Sequence, residues 1–491
     1  MDTLDADVIV VGAGPTGLML AGELRLAGVA TIAVERLAAP TGQSRGLGFT
    51  ARAMEVFDQR GLLPRFGELE TSPMGHFGGL PLDYSVVEGG HFGARGVPQS
   101  VTEAVLHDWA TELGTEIRRQ HEVVGIADDG ERVEIAVETP DGRSSLRARW
   151  LVGCDGGRST IRRLAGIDFP GTDATREMYL ADVVGQDLRP RFTGERVPGG
   201  MVMAAPLGDG VDRIIVCEIG TPPRNRSDGL SYDELADAWE RLTGEDIHGG
   251  SALWVSAFGD TARQASEYRR GRVLLAGDAA HVHLPAGGQG LSVGVQDAAN
   301  LGWKLAAEIH GHAPPGLLDT YHRERHPVGA QVLTNSQAQG SLYLTGEEMQ
   351  PLRDVFTELM VQDDVKRQLV GMVSGLDIRY DVGPGDHPLL GYRLPNQDLV
   401  VGDEKTSNYE LLHAGRGVLL DLVDDPELRA AAAPWVGRVD TVAARQHDCE
   451  SPLDALLVRP DGYVAWLAPD GPDAGSLTDA LTRWFGPAEG A

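Results

Sequence analysis

Three glycine-rich clusters hold the residues of this chain best suited to chemistry. Gly12-Ala13-Gly14-Pro15-Thr16-Gly17 follows the apolar run Val8-Ile9-Val10-Val11. Cys154-Asp155-Gly156-Gly157-Arg158-Ser159-Thr160-Ile161-Arg162 lies mid-chain. Gly277-Asp278-Ala279-Ala280-His281 runs on to Pro285-Ala286-Gly287-Gly288-Gln289-Gly290. The first reads as a phosphate cradle. A buried strand ends at Val11 and a helix begins near Pro15. Gly12 permits the tight turn, Gly14 lets a pyrophosphate approach the backbone, and Gly17 lets helix and strand pack closely. The helix N-terminus offers unpaired N–H groups and a partial positive charge to the phosphates. A second strand, Thr31-Ile32-Ala33-Val34, stops at Glu35. That acid stands about 20 residues past the glycines, where a ribose hydroxyl is held. One such cluster is weak evidence, but all three in this order point to FAD.

The third cluster has its own physical reading. Gly287 to Gly290 open a long helix, so its positive end faces the pyrimidine edge of a flavin. Reduced flavin carries negative charge there, which a helix N-terminus favours. Pro285 and Gly288 are therefore expected beside the isoalloxazine. His281 and His283 form an HxH pair with no third ligand nearby, and no metal is expected.

The elements that must position these residues follow from pattern. Leu18, Leu20, Ala21, Leu24 and Ala27 have helical spacing, and Gly28 ends the helix. Further helices are predicted over 50–60, 101–113, 291–310, on through 339, and 352–373. Residues 133–137 alternate, Asp141-Gly142 turns, and 146–152 return as a strand. Residues 176–270 read as mostly β, with a hairpin at Gly208-Asp209-Gly210. Arg272 to Ala276 is a short buried strand. Residues 376–395, rich in Gly, Pro and Asp, mark a boundary. After it come a strand at 417–421, a hairpin at Pro460-Asp461-Gly462 and a helix at 477–485.

Composition excludes some partners. The chain has 491 residues and a net charge of −29, against nucleic acid and anionic membrane surfaces. No apolar run reaches the ~18 residues of a transmembrane helix, and no basic leader precedes the first strand. The three cysteines, Cys154, Cys217 and Cys449, lack metal-ligand or CxxC spacing. A reduced, cytoplasmic protein is the expectation.

The chain resembles the group A flavoprotein aromatic hydroxylases, the para-hydroxybenzoate and phenol hydroxylase family. Within it, the nearest likeness is to bacterial hydroxylases that tailor angucycline and anthracycline polyketides. The likeness runs through the three clusters and through Ser44-Arg45-Gly46-Leu47-Gly48-Phe49-Thr50, Gly75-His76-Phe77-Gly78-Gly79-Leu80-Pro81 and Leu284-Pro285-Ala286-Gly287-Gly288-Gln289-Gly290. It implies an α/β architecture: a discontinuous Rossmann-type FAD-binding domain (1–72, 99–175, 271–385), a β-rich substrate domain (73–98, 176–270) and a small thioredoxin-like domain (390–491). Cys449 is the only cysteine of that last unit, so disulfide exchange is not its work. The implied FAD contacts are Gly12, Gly14, Pro15, Thr16, Gly17, Glu35, Arg36, Arg45, Gln99, Asp155, Asp278, Pro285, Gly287, Gly288, Gly290, Leu291 and Ser292. Two departures stand out: Leu284 where the family often has proline, and Ser292 where it usually has asparagine.

The resemblance also implies the reaction. NADPH or NADH reduces FAD, dioxygen gives a flavin C4a-hydroperoxide, and an electron-rich ring is hydroxylated. No second GxGxxG marks a nicotinamide domain, so NAD(P)H is expected to bind transiently, with Arg45 and Arg158 as candidate contacts. Baeyer–Villiger or quinone-forming oxidation on the same scaffold remains open, as does a non-catalytic flavin-binding role. No catalytic acid or base is legible; His76, Tyr84 and Tyr268 are candidates of the right type. Two long segments, 73–98 and 176–270, carry Phe77, Leu80, Phe192, Met201, Met203, Trp254 and Phe258, an expected apolar wall for a polycyclic aromatic substrate. The oligomer is expected to be a monomer or homodimer.

Overall fold

The computed structural model describes residues 4–490, apart from 88, 90, 225, 227–228, 447–452, 470 and 472. Its central strand is Ala6–Val11. The strand is apolar almost throughout because both of its faces are covered. Thr31–Glu35 pairs with it in parallel on one side and Gly142–Gly153 on the other. The sheet continues in parallel to Val273–Leu275 beyond Gly142–Gly153, and to Glu116–Arg119 beyond Thr31–Glu35. The three glycine clusters therefore leave the carboxyl ends of three adjacent parallel strands, the place where such sheets take ligands. Clusters far apart in sequence meet because of this strand order.

Helices lock onto that sheet through close contacts. Helix Pro15–Leu26 packs against Gln99–Glu112 and against the long helix Gln289–His310. A β-carbon on Gly22 would meet the Trp109 ring at 2.1 Å, and one on Gly302 would meet the Glu23 side chain at 2.5 Å. Any larger residue would push these helices apart.

A second sheet has five antiparallel strands in the order Arg191–Val197, Gly200–Gly208, Val211–Glu218, Glu177–Val184, Ser251–Gly259. The predicted hairpin is there. Its loop residues Asp209 and Gly210 both have positive φ (51° and 71°), which matches the right-handed twist of the strands. The region read as mostly β also contains a helix, Tyr232–Thr243. Local chemistry explains it. The Ser231 side chain accepts from the Glu234 N–H, Gly244 closes the other end in a left-handed conformation, and Leu235, Ala236 and Trp239 face the sheet. The helical stretch predicted over 352–373 is two helices, Gln350–Leu359 and Asp363–Ser374. Met360 turns inward at the break and packs with Leu369 and Val370.

The C-terminal unit is a strand–helix–strand, then a hairpin and a closing helix. Its sheet order is Val439–Ala443, Gly417–Asp421, Ala455–Val458, Val464–Ala468, with the first two parallel and the rest antiparallel. That is a thioredoxin-like order. Cys449 lies outside the described residues. The Gly/Pro-rich stretch before this unit is packed: Tyr380, Val382 and Leu390 are buried with Trp303 and Trp484.

Buried charges tie the unit to the first sheet's helices. Arg459 grips Glu324 with two 2.8 Å bonds, Lys304 Nζ reaches the same carboxylate at 2.7 Å, and Asn300 donates to Asp461 at 3.0 Å. Arg60 pairs with Glu23 (2.7 and 3.0 Å) and donates to the Pro460 carbonyl (2.8 Å). The predicted hairpin tip is thus the plug that fits this charged socket. Among the described residues no helix is long and apolar enough to cross a membrane.

Candidate active site

The cradle after Ala6–Val11 shows three different uses of glycine. A β-carbon on Gly12 would lie 2.4 Å from the Cys154 carbonyl oxygen, and one on Gly17 would lie 1.9 Å from the Gly12 carbonyl oxygen. These two residues let the first cluster close against the second and against itself. A β-carbon on Gly14 meets nothing within 4 Å. That is the open approach a pyrophosphate needs at the N-terminus of helix Pro15–Leu26, which Pro15 begins. Thr16 points elsewhere: it fills the space over Gly277 and Gly294, joining the first cluster to the third.

Around the cradle, groups of the right charge stand free or are held in place. Glu35 accepts the Ala13 N–H at 3.0 Å and the Leu37 N–H at 2.9 Å, which fixes its carboxylate beside the turn. Arg36, Arg45 and Arg158 are exposed. The loop of Arg45 is clamped to helix Gln99–Glu112: Gln99 accepts the Gly46 N–H at 3.3 Å, and Ser44 meets Ser100 at 3.0 Å. Asp278 is exposed just past Val273–Leu275, its carboxylate turned to no protein donor among the described residues. An open backbone approach, a free carboxylate and exposed arginines are what a flavin dinucleotide requires of its site, and the residues fit it.

Two expected contacts have other partners. Asp155 accepts the Ser159 hydroxyl at 2.5 Å and the N–H groups of Thr160 and Ile161 at 2.6 and 3.1 Å, so its carboxylate caps the short helix Thr160–Leu164. Ser292 is buried and accepts the Thr50 N–H at 2.9 Å, anchoring the strand Leu47–Phe49 to the long helix. Leu291 packs into the main core.

The third cluster is held from beneath. His281 Nε2 lies 2.7 Å from Asp297, which also takes Arg325 Nε at 2.7 Å and the Gly277 N–H at 3.1 Å. Burial alone raises the Asp297 carboxyl, but Arg325 and His281 hold it below the usual carboxylate range. Above this base, Gly287 and Gly288 both adopt left-handed conformations (φ 70° and 68°), and Gly288 caps helix Gln289–His310. Pro285 and Gly288 are exposed and Gly290 is half-buried, so the loop presents backbone to a ring lying on it.

The five-stranded sheet stands over this loop. Its outer face is covered by helix Tyr232–Thr243. On its inner face the register sets Met178 opposite Phe258 and Cys217, Met201 opposite Cys217, and Met203 opposite Ile215. These pack with Leu284 and Ala286 of the loop and with Tyr343. Of the expected wall, Met201, Met203 and Phe258 come together here. Trp254 lies farther along the same face, donating to Asp182 at 2.8 Å beside a two-bond Arg213–Asp182 pair. Phe77 and Leu80 go elsewhere: Phe77 stacks on Phe356 at 5.5 Å, and both pack against Leu342, Met360 and Val370. Phe192 is 60% exposed. Met178, Ile215, Cys217 and Tyr343 were not expected. Cross-strand pairing from the Asp209-Gly210 turn points to Ile215 and Cys217. Glu177–Val184 is buried on both faces and shows no alternation.

None of the three acid–base candidates is tuned to neutral pH. Burial pushes His76 down to about 4, and Tyr84 up to about 12. Burial likewise raises Tyr268, which accepts from Gln264 at 2.8 Å inside the core. His76 is nevertheless close to the chemistry: its strand Met74–Phe77 packs beside Ala286–Gly288.

Cradle, loop and overlying sheet define the class, a dinucleotide-binding scaffold with an apolar sheet face packed on the third cluster. Residues 5–336 match the FAD binding domain family, and residues 387–488 match the aromatic-ring hydroxylase C-terminal family. Similar proteins agree. The crystal structure of CabE, an aromatic hydroxylase from angucycline biosynthesis, is 63% identical, covers 99% of this chain and 100% of that one, and gives a TM-score of 0.95. BexE, studied for oxidation during BE-7585A biosynthesis, is 60% identical with the same coverage and a TM-score of 0.94. The 12-dehydrotetracycline 5-monooxygenase/anhydrotetracycline 6-monooxygenase of Streptomyces rimosus is 45% identical over 98% of this chain and 99% of its own length. The chain belongs to the family of FAD-dependent aromatic-ring hydroxylases and is a flavin-dependent monooxygenase.

Asp278 allows a sharp test of the cradle. A charge-assisted hydrogen bond is worth about 1.5–3 kcal/mol. Asp278→Ala is expected to weaken FAD binding by roughly one to two orders of magnitude, read by fluorescence titration of the apoprotein. Wild-type affinity in the folded variant would remove Asp278 from the site.

Proposed function

We propose that this chain hydroxylates a polycyclic aromatic polyketide of angucycline or anthracycline type beside an existing phenol or quinone oxygen, consuming NAD(P)H and dioxygen in antibiotic biosynthesis. The observation that carries the reading is the inner sheet face: an apolar cluster of Met178, Met201, Met203, Ile215 and Phe258 packed with Leu284 and Ala286 of the loop. A flat polycycle needs area and few polar groups. Arg213, on the same face, is already neutralised by Asp182, and Arg196, opposite Met201 at the edge of the sheet, donates to neutral acceptors. The CabE and Streptomyces rimosus relatives are named for angucycline and tetracycline chemistry.

In this reading Gly12, Gly14, Gly17, Glu35, Arg45 and Asp278 hold FAD, and Gly287, Gly288 and Gly290 carry its ring. Bound there, FAD supplies the reduction by NAD(P)H and the activation of dioxygen. The chain's own groups orient and exclude. The methionine and phenylalanine surface holds the ring system and keeps water from it. The N-terminus of helix Gln289–His310 stabilises negative charge at the loop. With His76, Tyr84 and Tyr268 all shifted away from neutral pH, the substrate's own phenol supplies the acidity.

Met203 provides the test. Met203→Trp is expected to leave FAD content unchanged and to reduce turnover of a tri- or tetracyclic phenol at least ~10-fold by filling the chamber. Leu80→Trp is expected to have the smaller effect, because Leu80 packs with Leu342, Met360 and Val370 rather than with the methionine cluster. Stopped-flow reduction by NADPH, fast only with such a phenol present, is the companion measurement. Efficient turnover of simple benzoates with no response to polycycles would overturn the substrate.

A further inference from the structure

A cavity of about 310 Å³ opens where the turn Gly78-Gly79, the strand Arg191–Val197, the end of helix Asp319–Tyr343 and helix Gln350–Leu359 meet. Arg196 and Arg353 both line it. Arg353 is only 9% exposed. Neither arginine forms an ion pair among the described residues, although the chain has 72 acidic residues to 43 basic ones. Arg196 donates to Gln350 Oε1 (3.0 Å) and to the carbonyls of Thr345 and Gly346 (2.9 and 2.7 Å). Arg353 Nη1 donates to the carbonyls of Gly78 and Leu342 (2.8 and 2.5 Å). Every one of these acceptors is neutral.

The nearby carboxylates are committed elsewhere. Asp354 accepts from Gln350 Nε2 at 2.7 Å, Glu348 takes the Gly346 N–H at 3.1 Å, and Glu195 pairs with Arg189 and, at 3.0 Å, with Arg191. Two cations thus face one cavity without an ion pair among the described residues, one of them is buried, and Asp354 acts on it only from a distance. Burial and the charge of Arg196 together hold Arg353 below its ordinary value. A desolvated cation pair of this kind is costly unless an anion completes it.

We propose that this cavity binds an oxyanion, a phosphoryl or carboxylate group, between the guanidiniums of Arg196 and Arg353. Planar guanidinium forks suit both groups. The position is relevant to the reaction. Tyr343 lines the cavity and also packs with Met201, Leu284 and Ala286 at the flavin loop. A bound anion is therefore one side chain away from the reacting chamber. Two sources carry this chemistry: the phosphates of the nicotinamide reductant, or an acid group on the aromatic substrate. The choice between them rests on the function proposed above; anion binding itself does not.

The experiment uses the FAD-loaded protein, so that the flavin cradle is filled. Inorganic pyrophosphate and benzoate are titrated calorimetrically at low ionic strength into wild type, R196Q and R353K. One of the two anions is expected to bind wild type saturably, and both variants are expected to bind it at least ~10-fold more weakly with unchanged flavin content and flavin spectrum. No saturable binding of either anion, or unchanged affinity in both variants, overturns the proposal. Steady-state kinetics then separates the sources. A raised KM for NADPH alone in R196Q assigns the site to the reductant. A raised KM for a carboxylated substrate, with its decarboxylated analogue unaffected, assigns it to the substrate. If the protein binds pyrophosphate but turns over no aromatic compound, the anion site stands and the proposed reaction falls.

Discussion

Gly14→Val is expected to fold as wild type does and to lose FAD. The backbone at Gly14 is extended (φ −84°, ψ −178°), a conformation any residue adopts, and its missing side chain would point into open space. The only folding cost is a poorer helix cap, about 1 kcal/mol or less. The open space, however, is the approach a pyrophosphate needs. Three added carbons there should weaken FAD binding at least ~100-fold, about 2.7 kcal/mol. Gly17→Ala makes the contrast. Its β-carbon would lie 1.9 Å from the Gly12 carbonyl oxygen, so strand and helix must part. That variant should lose FAD and also about 1–3 kcal/mol of apoprotein stability. Flavin absorbance after gel filtration and urea unfolding of the apoproteins distinguish the two. A yellow Gly14→Val protein with wild-type flavin content would show that the cofactor's phosphates lie elsewhere.

The second large effect is expected at Glu324. Its carboxylate is the shared partner of Arg459 and Lys304, all three fully or almost fully buried. Burial raises the Glu324 pKa, but Arg459 and Lys304 together hold it down to about 2. Glu324→Ala leaves Lys304 without its carboxylate partner and Arg459 with Asp461 alone, a change that costs about 3–5 kcal/mol. The urea midpoint of the FAD-saturated protein should fall accordingly. By contrast, Glu138→Ala removes an exposed pair with Arg143 and should cost less than ~1 kcal/mol. The pH dependence follows in sign. An acid whose folded pKa is depressed stabilises the protein above its unfolded value, near 4.3. That contribution disappears as pH falls toward 2. The gap between wild type and Glu324→Gln should therefore be full at pH 6 and shrink steadily below about pH 4.3. A gap under ~1 kcal/mol at pH 6 would mean that the socket is compensated by groups other than this carboxylate.

The parts of the site legible in the sequence were those whose chemistry is local. Gly12, Gly14 and Gly17 could be assigned distinct duties because a tight turn, an approaching phosphate and a close-packed helix each act within a few residues. Glu35 followed from the length of one βαβ unit. The hairpins at Asp209-Gly210 and Pro460-Asp461-Gly462 were visible for the same reason, as was the long helix opened by Gly287 and Gly288. Helix Tyr232–Thr243 had readable caps in Ser231 and Gly244, but the β pattern on either side obscured it.

What the sequence by itself determined is a set of short-range facts: an FAD cradle, a flavin loop, their order, and an acidic α/β protein with a small α/β unit at its end. Only the tertiary structure decided which side chains meet. Strand order placed the three clusters side by side, and no spacing in the chain encodes that neighbour relation. Sheet register brought Met201, Met203 and Phe258 onto one face, because side chains alternate between faces and both faces here are covered by apolar residues, while Phe77 and Leu80 lie in a separate hairpin packed against helices. Asp155 also serves as a cap and Ser292 as an anchor, since N–H groups lay within their reach. The same holds for the charges. Arg459, Glu324 and Lys304 look like ordinary surface residues when read along the chain, and they form a buried lock only because packing removes the water that would otherwise solvate each of them.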